Sequence, residues 1–128
     1  MKNYIMAYDF GTSGTKAALV DYDGSLLGTA VCEYPLLSFG KGYAEQDPNE
    51  YWRATCAATR RVLKTSGIIP GQVKGMIFST QGMGIIPVDH EGKVLYNNIT
   101  WVDSRAGDQA KAINSMMGKK AAGANDVI

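Results

Sequence analysis

The chain has 128 residues, enough for one domain with its own core, since a domain of this size buries roughly two-thirds of the surface its unfolded chain exposes. Hydrophobic residues at 45% and charged residues at 20% exclude a disordered or fibrous chain. Thirteen basic against twelve acidic side chains leave a formal charge of +1, so no basic surplus points to a nucleic acid or an anionic membrane as partner.

Residues 3–9 are rich in aromatic and β-favouring types and run into a glycine cluster, which predicts a strand. Gly11-Thr12-Ser13-Gly14 reads as a tight turn, and residues 15–21 resume the strand pattern. Asp21-Tyr22-Asp23-Gly24 is a second turn with an Asp-Gly signal, and residues 25–36 supply a third strand of an antiparallel meander. Residues 37–47 form a loop. A helix follows, with Asp47 as N-cap, Pro48 at its first position and Glu50 in capping-box spacing. Trp52, Cys56, Thr59 and Leu63 recur at helical spacing, so this face should pack on the sheet; Gly67 and Pro70 mark the end. Residues 73–79 read as a buried strand, parallel to an earlier one because a helical crossover leads to it. Residues 85–96 suggest a hairpin turning at Asp89-His90-Glu91-Gly92. Residues 103–117 suggest a second helix ended by Gly118, and the segment after it shows no clear element.

Cys32 and Cys56 have no metal-site spacing and read as reduced small hydrophobes, and His90 is the only histidine, which excludes multi-histidine zinc sites. No signal peptide is visible, and no stretch approaches the roughly 20 apolar residues of a membrane span, so the expectation is a soluble, cytoplasmic protein.

Four segments carry chemistry. The first is Asp9-Phe10-Gly11-Thr12-Ser13-Gly14-Thr15-Lys16, at a strand-turn-strand junction. Its glycines let backbone approach a polyanion, its amides and hydroxyls donate to phosphate oxygens, and Lys16 adds positive charge. Asp9 is placed to hold a magnesium ion, largely through water. An ordinary glycine-rich hairpin turn is the competing reading. The second, Gln46-Asp47-Pro48 with Trp52, is a helix entry whose members cap, start and pack the helix. The third, Ser79-Thr80-Gln81-Gly82-Met83-Gly84, follows the predicted parallel strand, where ligands gather, and Gln81 suits adjacent sugar hydroxyls. It competes with a plain connection. The fourth is Trp101-Val102-Asp103-Ser104-Arg105, in which an indole can stack on a sugar while carboxylate and guanidinium take its hydroxyls. The alternative places Trp101 in the core, with Asp103 as a helix cap paired to Arg105.

Together these segments resemble the FGGY carbohydrate kinases, most closely the xylulokinase-like members, from Tyr4 to about Ala112. The resemblance implies an incomplete α/β lobe of the ribonuclease-H-like fold shared with actin and heat-shock chaperones, with residues 1–128 as the N-terminal part of the first of two lobes. It implies ATP and Mg2+ as cofactors, a small sugar such as a pentulose as substrate, and γ-phosphoryl transfer to a sugar hydroxyl. By the same resemblance Asp9 helps to organise magnesium, and Gly11, Thr12, Ser13 and Lys16 meet the phosphates. Gln81, Gly82 and Met83 line one wall of the sugar pocket, and Trp101, Asp103 and Arg105 the other. Xylulokinases usually show Gln-Met-His-Gly where this chain has Gln81-Gly82-Met83-Gly84, so a pocket imidazole is missing and D-xylulose itself is less favoured. The family's catalytic aspartate and adenosine-binding motifs have no counterpart in these residues, so the expected fragment is inactive alone, and its uncovered sheet face should promote self-association, a homodimer included. A nucleotide-gated switch of the actin or chaperone type, and a binding module that has lost catalysis, are the alternatives.

Overall fold

Alternation of apolar and half-exposed residues along the first strand sets the plan of the molecule. In the computed structural model, which describes residues 2–117, β1 (Tyr4–Phe10) turns Tyr4, Met6 and Tyr8 inward and leaves Ile5 and Ala7 half-buried on the other face. β2 (Gly14–Asp21) pairs antiparallel with β1, and β3 (Leu26–Glu33) pairs antiparallel with β2. The expected strand over 25–36 stops at Glu33 because Tyr34 turns back to the first turn, its hydroxyl donating to the Gly11 carbonyl, and Pro35 has no N–H for a ladder. β5 (Val73–Thr80) lies parallel to β1 on its other edge, giving the sheet order β3-β2-β1-β5. The fold is a ribonuclease-H-like sheet carrying one crossover helix.

That helix, α1 (Pro48–Ser66), begins and ends where its sequence says it should. Asp47 accepts from the Asn49 amide at 2.8 Å, and Gly67 closes the helix in the left-handed region at φ 70°, its N–H donating to the Leu63 carbonyl. The capping box does not form, because the Glu50 carboxylate is taken by Arg53 at 2.7 Å. The packed face also differs from expectation. Ala54, Thr55, Ala58 and Val62 are buried against the sheet, whereas Trp52 is 72% exposed. The inward side chains of the sheet are large (Tyr4, Met6, Tyr8, Leu19), so the helix that covers them presents small ones. Trp52 instead overhangs a groove with Tyr8 and Phe78, whose rings stack at 5.4 Å. Full burial of Met6, Leu19 and Val62 contributes about 1.5–3 kcal/mol each.

The face opposite α1 has no covering layer among the described residues: Val31 and Ile77 there are 52% and 61% exposed. A two-stranded ladder not expected from sequence, β4 (Glu45–Gln46) with β6 (Asn98–Ile99), stands beside the sheet. The turn at Asp89–Gly92 forms, with the Asp89 carboxylate accepting from the Glu91 and Lys93 amides, but the predicted hairpin reduces to a single bridge between Val88 and Val94. Pro87 cannot donate to a ladder, and Ile85 pairs with Ile99 instead. The second helix, α2, spans Gly107–Met117 and starts later than expected because Asp103 is held in a turn with Arg105. Gly118 and the segment after it lie outside the described residues. Cys32 is buried, Cys56 half-buried, and both are free thiols. No helix among the described residues is long and apolar enough to cross a membrane.

Candidate functional site

The carboxyl ends of β1 and β5 lie side by side, with Phe10 opposite Thr80, so the turn after β1 and the loop after β5 emerge together. In the turn, the Gly11 amide donates to the Gly14 carbonyl at 3.1 Å, while the Thr12 and Ser13 amides enter no backbone hydrogen bond among the described residues. Gly14 has a structural reason: a Cβ there would sit 2.7 Å from the Cys32 carbonyl oxygen. Gly11 has no such neighbour, the nearest atom being the Gly14 oxygen at 3.6 Å, so its openness faces outward.

Asp9 and Lys16 are cross-strand partners in register and meet at 3.1 Å with both side chains well exposed. An exposed pair of this kind holds its members only weakly, which leaves the ammonium and the carboxylate available to a ligand. No cluster of three or more metal-ligating side chains occurs among the described residues. One carboxylate suits magnesium, which keeps most of its water and phosphate ligands, better than it suits a metal held by protein alone.

The Thr12 side chain faces the other way. Its hydroxyl accepts from Trp101 Nε1 at 3.0 Å and donates to Gln81 Oε1 at 3.3 Å, and its carbonyl accepts from Gln46 Nε2 at 2.7 Å. Gln81, in turn, donates from Nε2 to Gln46 Oε1 at 2.9 Å. Three segments predicted from sequence to form one site thus converge on a single residue. Beside them lies a cavity of about 340 Å³ lined by Phe10, Tyr51, Gln81, Met83, Gly84 and Asn98, at the small end of ligand-binding clefts. A Cβ at Gly84 would lie 2.6 Å from Asn98 Oδ1, a buried oxygen without a hydrogen-bond partner, so any larger residue there would displace the Asn98 side chain. Met83 adopts φ 58°, a conformation uncommon outside glycine. Burial pushes the Tyr51 phenol above its ordinary range, so it stays neutral and serves as donor and acceptor within the network.

Asp103 and Arg105 are placed differently from the other candidates. The Arg105 guanidinium binds both oxygens of Asp103 at 2.7–3.0 Å and Glu45 at 2.6 Å, and lies 4.0 Å from the centre of the Tyr43 ring. Glu45 also accepts from Tyr96 and Asn97, and Asp103 from the Ala44 amide. The hydrogen bonds from Arg105 hold the Asp103 carboxyl down at about 2. For Glu45, burial pushes the other way, but Asn97, Arg105 and Tyr96 together lower it. Asp103 makes no N-cap to α2; the paired reading of Asp103 and Arg105 describes the observed contacts, and neither lines the cavity. Gly82, too, is outside the lining, and nothing stands within 4 Å of where its side chain would be.

Sequence reasoning missed Gln46, Tyr51 and Asn98. The first two were absorbed into a helix entry, and Asn98 lies in what reads as a short link. The available signal was a buried-type position filled by an amide next to a strand end.

Residues 4–126 match the FGGY family of carbohydrate kinases, N-terminal domain. The chain belongs to this family. Among FGGY relatives, a xylulose kinase of Staphylococcus epidermidis is 32% identical over 120 residues, covering 94% of this chain and 24% of the relative. A glycerol kinase of Marinomonas sp. is 37% identical over 106 residues, covering 82% and 22%. The crystal structure of a gluconate kinase from Lactobacillus acidophilus superposes with a TM-score of 0.83 at 27% identity, covering 91% of this chain and 23% of that one. The chain therefore spans about a quarter of the length of the curated FGGY kinases it matches.

Proposed function

We propose that these residues are the N-terminal part of the first lobe of a longer ATP-dependent kinase that phosphorylates a hydroxyl of a small ketose or polyol, a pentulose such as xylulose included. The observation that carries this reading is the place of Thr12: its turn holds two amides that enter no backbone hydrogen bond among the described residues, and its hydroxyl joins Gln81 and Trp101. A phosphate cradle and a polyol wall then share one residue. Family membership supports the reaction class, and the spread of relatives over xylulose and glycerol kinases supports a small polyhydroxylated acceptor without choosing among them. The family does not favour the nucleotide-gated switch.

In this reading ATP with Mg2+ supplies the phosphoryl group and the charge neutralisation that its transfer needs. The amides of Thr12 and Ser13, with Lys16, would orient the phosphates, and Asp9 is the carboxylate that would hold the magnesium. The cavity beside Gln81 and Met83 takes the sugar; Trp101 lies outside its lining and joins it through the Thr12 hydroxyl that Gln81 also binds. Asp103, with both oxygens bound by Arg105 and outside the cavity lining, is not assigned as the base that takes the hydroxyl proton.

The test is an ADP-release assay on the full-length chain across ketoses, polyols and aldonic acids. A rate that depends on the added sugar is expected; silence across the panel overturns the reading.

A further inference from the structure

Gln46 is completely buried, and its side-chain amide joins three segments of the chain. Nε2 donates to the Thr12 carbonyl at 2.7 Å, and Oε1 accepts from the Tyr51 hydroxyl at 2.8 Å and from Gln81 Nε2 at 2.9 Å. A carbonyl only accepts, so the Thr12 contact dictates which end of the Gln46 amide faces which partner. That choice fixes Gln81 in turn: its Nε2 must face Gln46, which leaves its Oε1 toward the Thr12 hydroxyl. Gln46 itself is immobilised from behind. It follows Glu45 on β4, and successive strand residues point to opposite sides, so the ion pair of Glu45 with Arg105 anchors the strand while Gln46 faces the site.

Resting on the kinase reading above, we propose that Gln46 is a positioning residue of the phosphoryl-transfer site, holding the phosphate turn and the sugar loop in one register by gripping the Thr12 carbonyl and the Gln81 amide at once. It touches neither substrate. Its role differs from that of a satisfied buried amide because its partners belong to the two half-sites, and slack in it displaces both.

The experiment compares steady-state kinetics of the full-length chain with those of Gln46→Met, Gln46→Glu and, as a control for lost stability, Val62→Ala, which hollows the core under α1 away from the site. Gln46→Met should raise the KM for ATP and for sugar each about five- to twenty-fold and lower kcat, whereas Val62→Ala lowers the melting temperature and leaves both KM values unchanged. Gln46→Glu keeps the acceptor for Tyr51 and Gln81 but loses the donor to Thr12 whenever its carboxyl is ionised, so it should raise the ATP KM more than the sugar KM, and more steeply as pH rises. Gln46→Glu also carries the test if Gln46→Met does not fold. Unchanged KM values in a folded Gln46 variant of an active enzyme overturn the positioning role alone. A wild-type chain without sugar-dependent turnover overturns the functional reading, and the proposal with it.

Discussion

The indole Nε1–H of Trp101 donates to the hydroxyl of Thr12 at 3.0 Å, across 89 positions of sequence. This bond ties the last of the four motifs to the first. Replacing Trp101 by Phe keeps an aromatic face and removes the donor. Because the indole is half-exposed, the fold should lose no more than about 1 kcal/mol, while the KM for sugar in the full-length chain rises several-fold, as steady-state kinetics would show.

The two glycines of the first turn should separate stability from binding. Gly14→Ala places a methyl 2.7 Å from the Cys32 oxygen and 3.0 Å from the Glu33 Cα, so β2 and β3 must part, at a cost of about 1–3 kcal/mol in denaturant unfolding. Gly11→Ala meets only an ordinary contact at 3.6 Å and should unfold like the wild type, yet raise the KM for ATP.

Lys16 offers a cleaner probe of the phosphate side. Its pair with Asp9 is exposed, so Lys16→Ala should change stability by less than about 0.5 kcal/mol. The ATP KM should rise about ten-fold with the sugar KM unmoved. Equal rises in both would place Lys16 elsewhere in the mechanism.

Asp103 and Glu45 give the fold a defined acid sensitivity. Arg105 holds the Asp103 carboxyl at about 2 against an ordinary value near 3.8, and Glu45 shifts in the same direction. Stability from a depressed carboxyl is present above its unfolded value and lost as pH falls through the folded one. Urea midpoints should therefore drop between about pH 4 and pH 2, and Asp103→Asn should be less stable at pH 7 with a flatter profile across that window. An unchanged acid limb in the variant would locate the sensitivity in other carboxylates.

With Val31 and Ile77 exposed on one face of the sheet, and Trp52, Met76 and Phe78 exposed on the other side, the isolated 128-residue chain should self-associate. Sedimentation velocity would show dimers or larger species at micromolar concentration. A monodisperse, heat-stable monomer would count against this.

Much of this molecule can be read from local signals. Asp47, Pro48 and Gly67 bound α1 because caps are local chemistry, and the crossover predicts the parallel placement of β5. The inward face of α1 was illegible because it is written in alanines, which a search for large apolar residues passes over, while the conspicuous Trp52 faces out. Likewise the β4–β6 ladder rests on two pairs of residues more than 50 positions apart, and no strand pattern is short enough to announce it. That the segments of Thr12, Gln81 and Trp101 belong to one site was legible only through the family resemblance, not from the residues of any one segment. What was illegible was the binding of Arg105 to Glu45, since a lone glutamate in a loop gives no sign of a partner 60 residues away.

β1 sits in the middle of the sheet, yet its two neighbours reach it at very different times during synthesis. β2 follows it after a three-residue connection, whereas Met76, the partner of Met6, is 70 positions later (76 − 6 = 70). As the nascent chain leaves the ribosome, the meander can assemble at once, but one edge of β1 stays unpaired until α1 and β5 have emerged. Folding of this segment is therefore gated by translation, and a pause before codon 80 would prolong the interval in which that bare edge is open to chaperones or to a neighbouring polysome product.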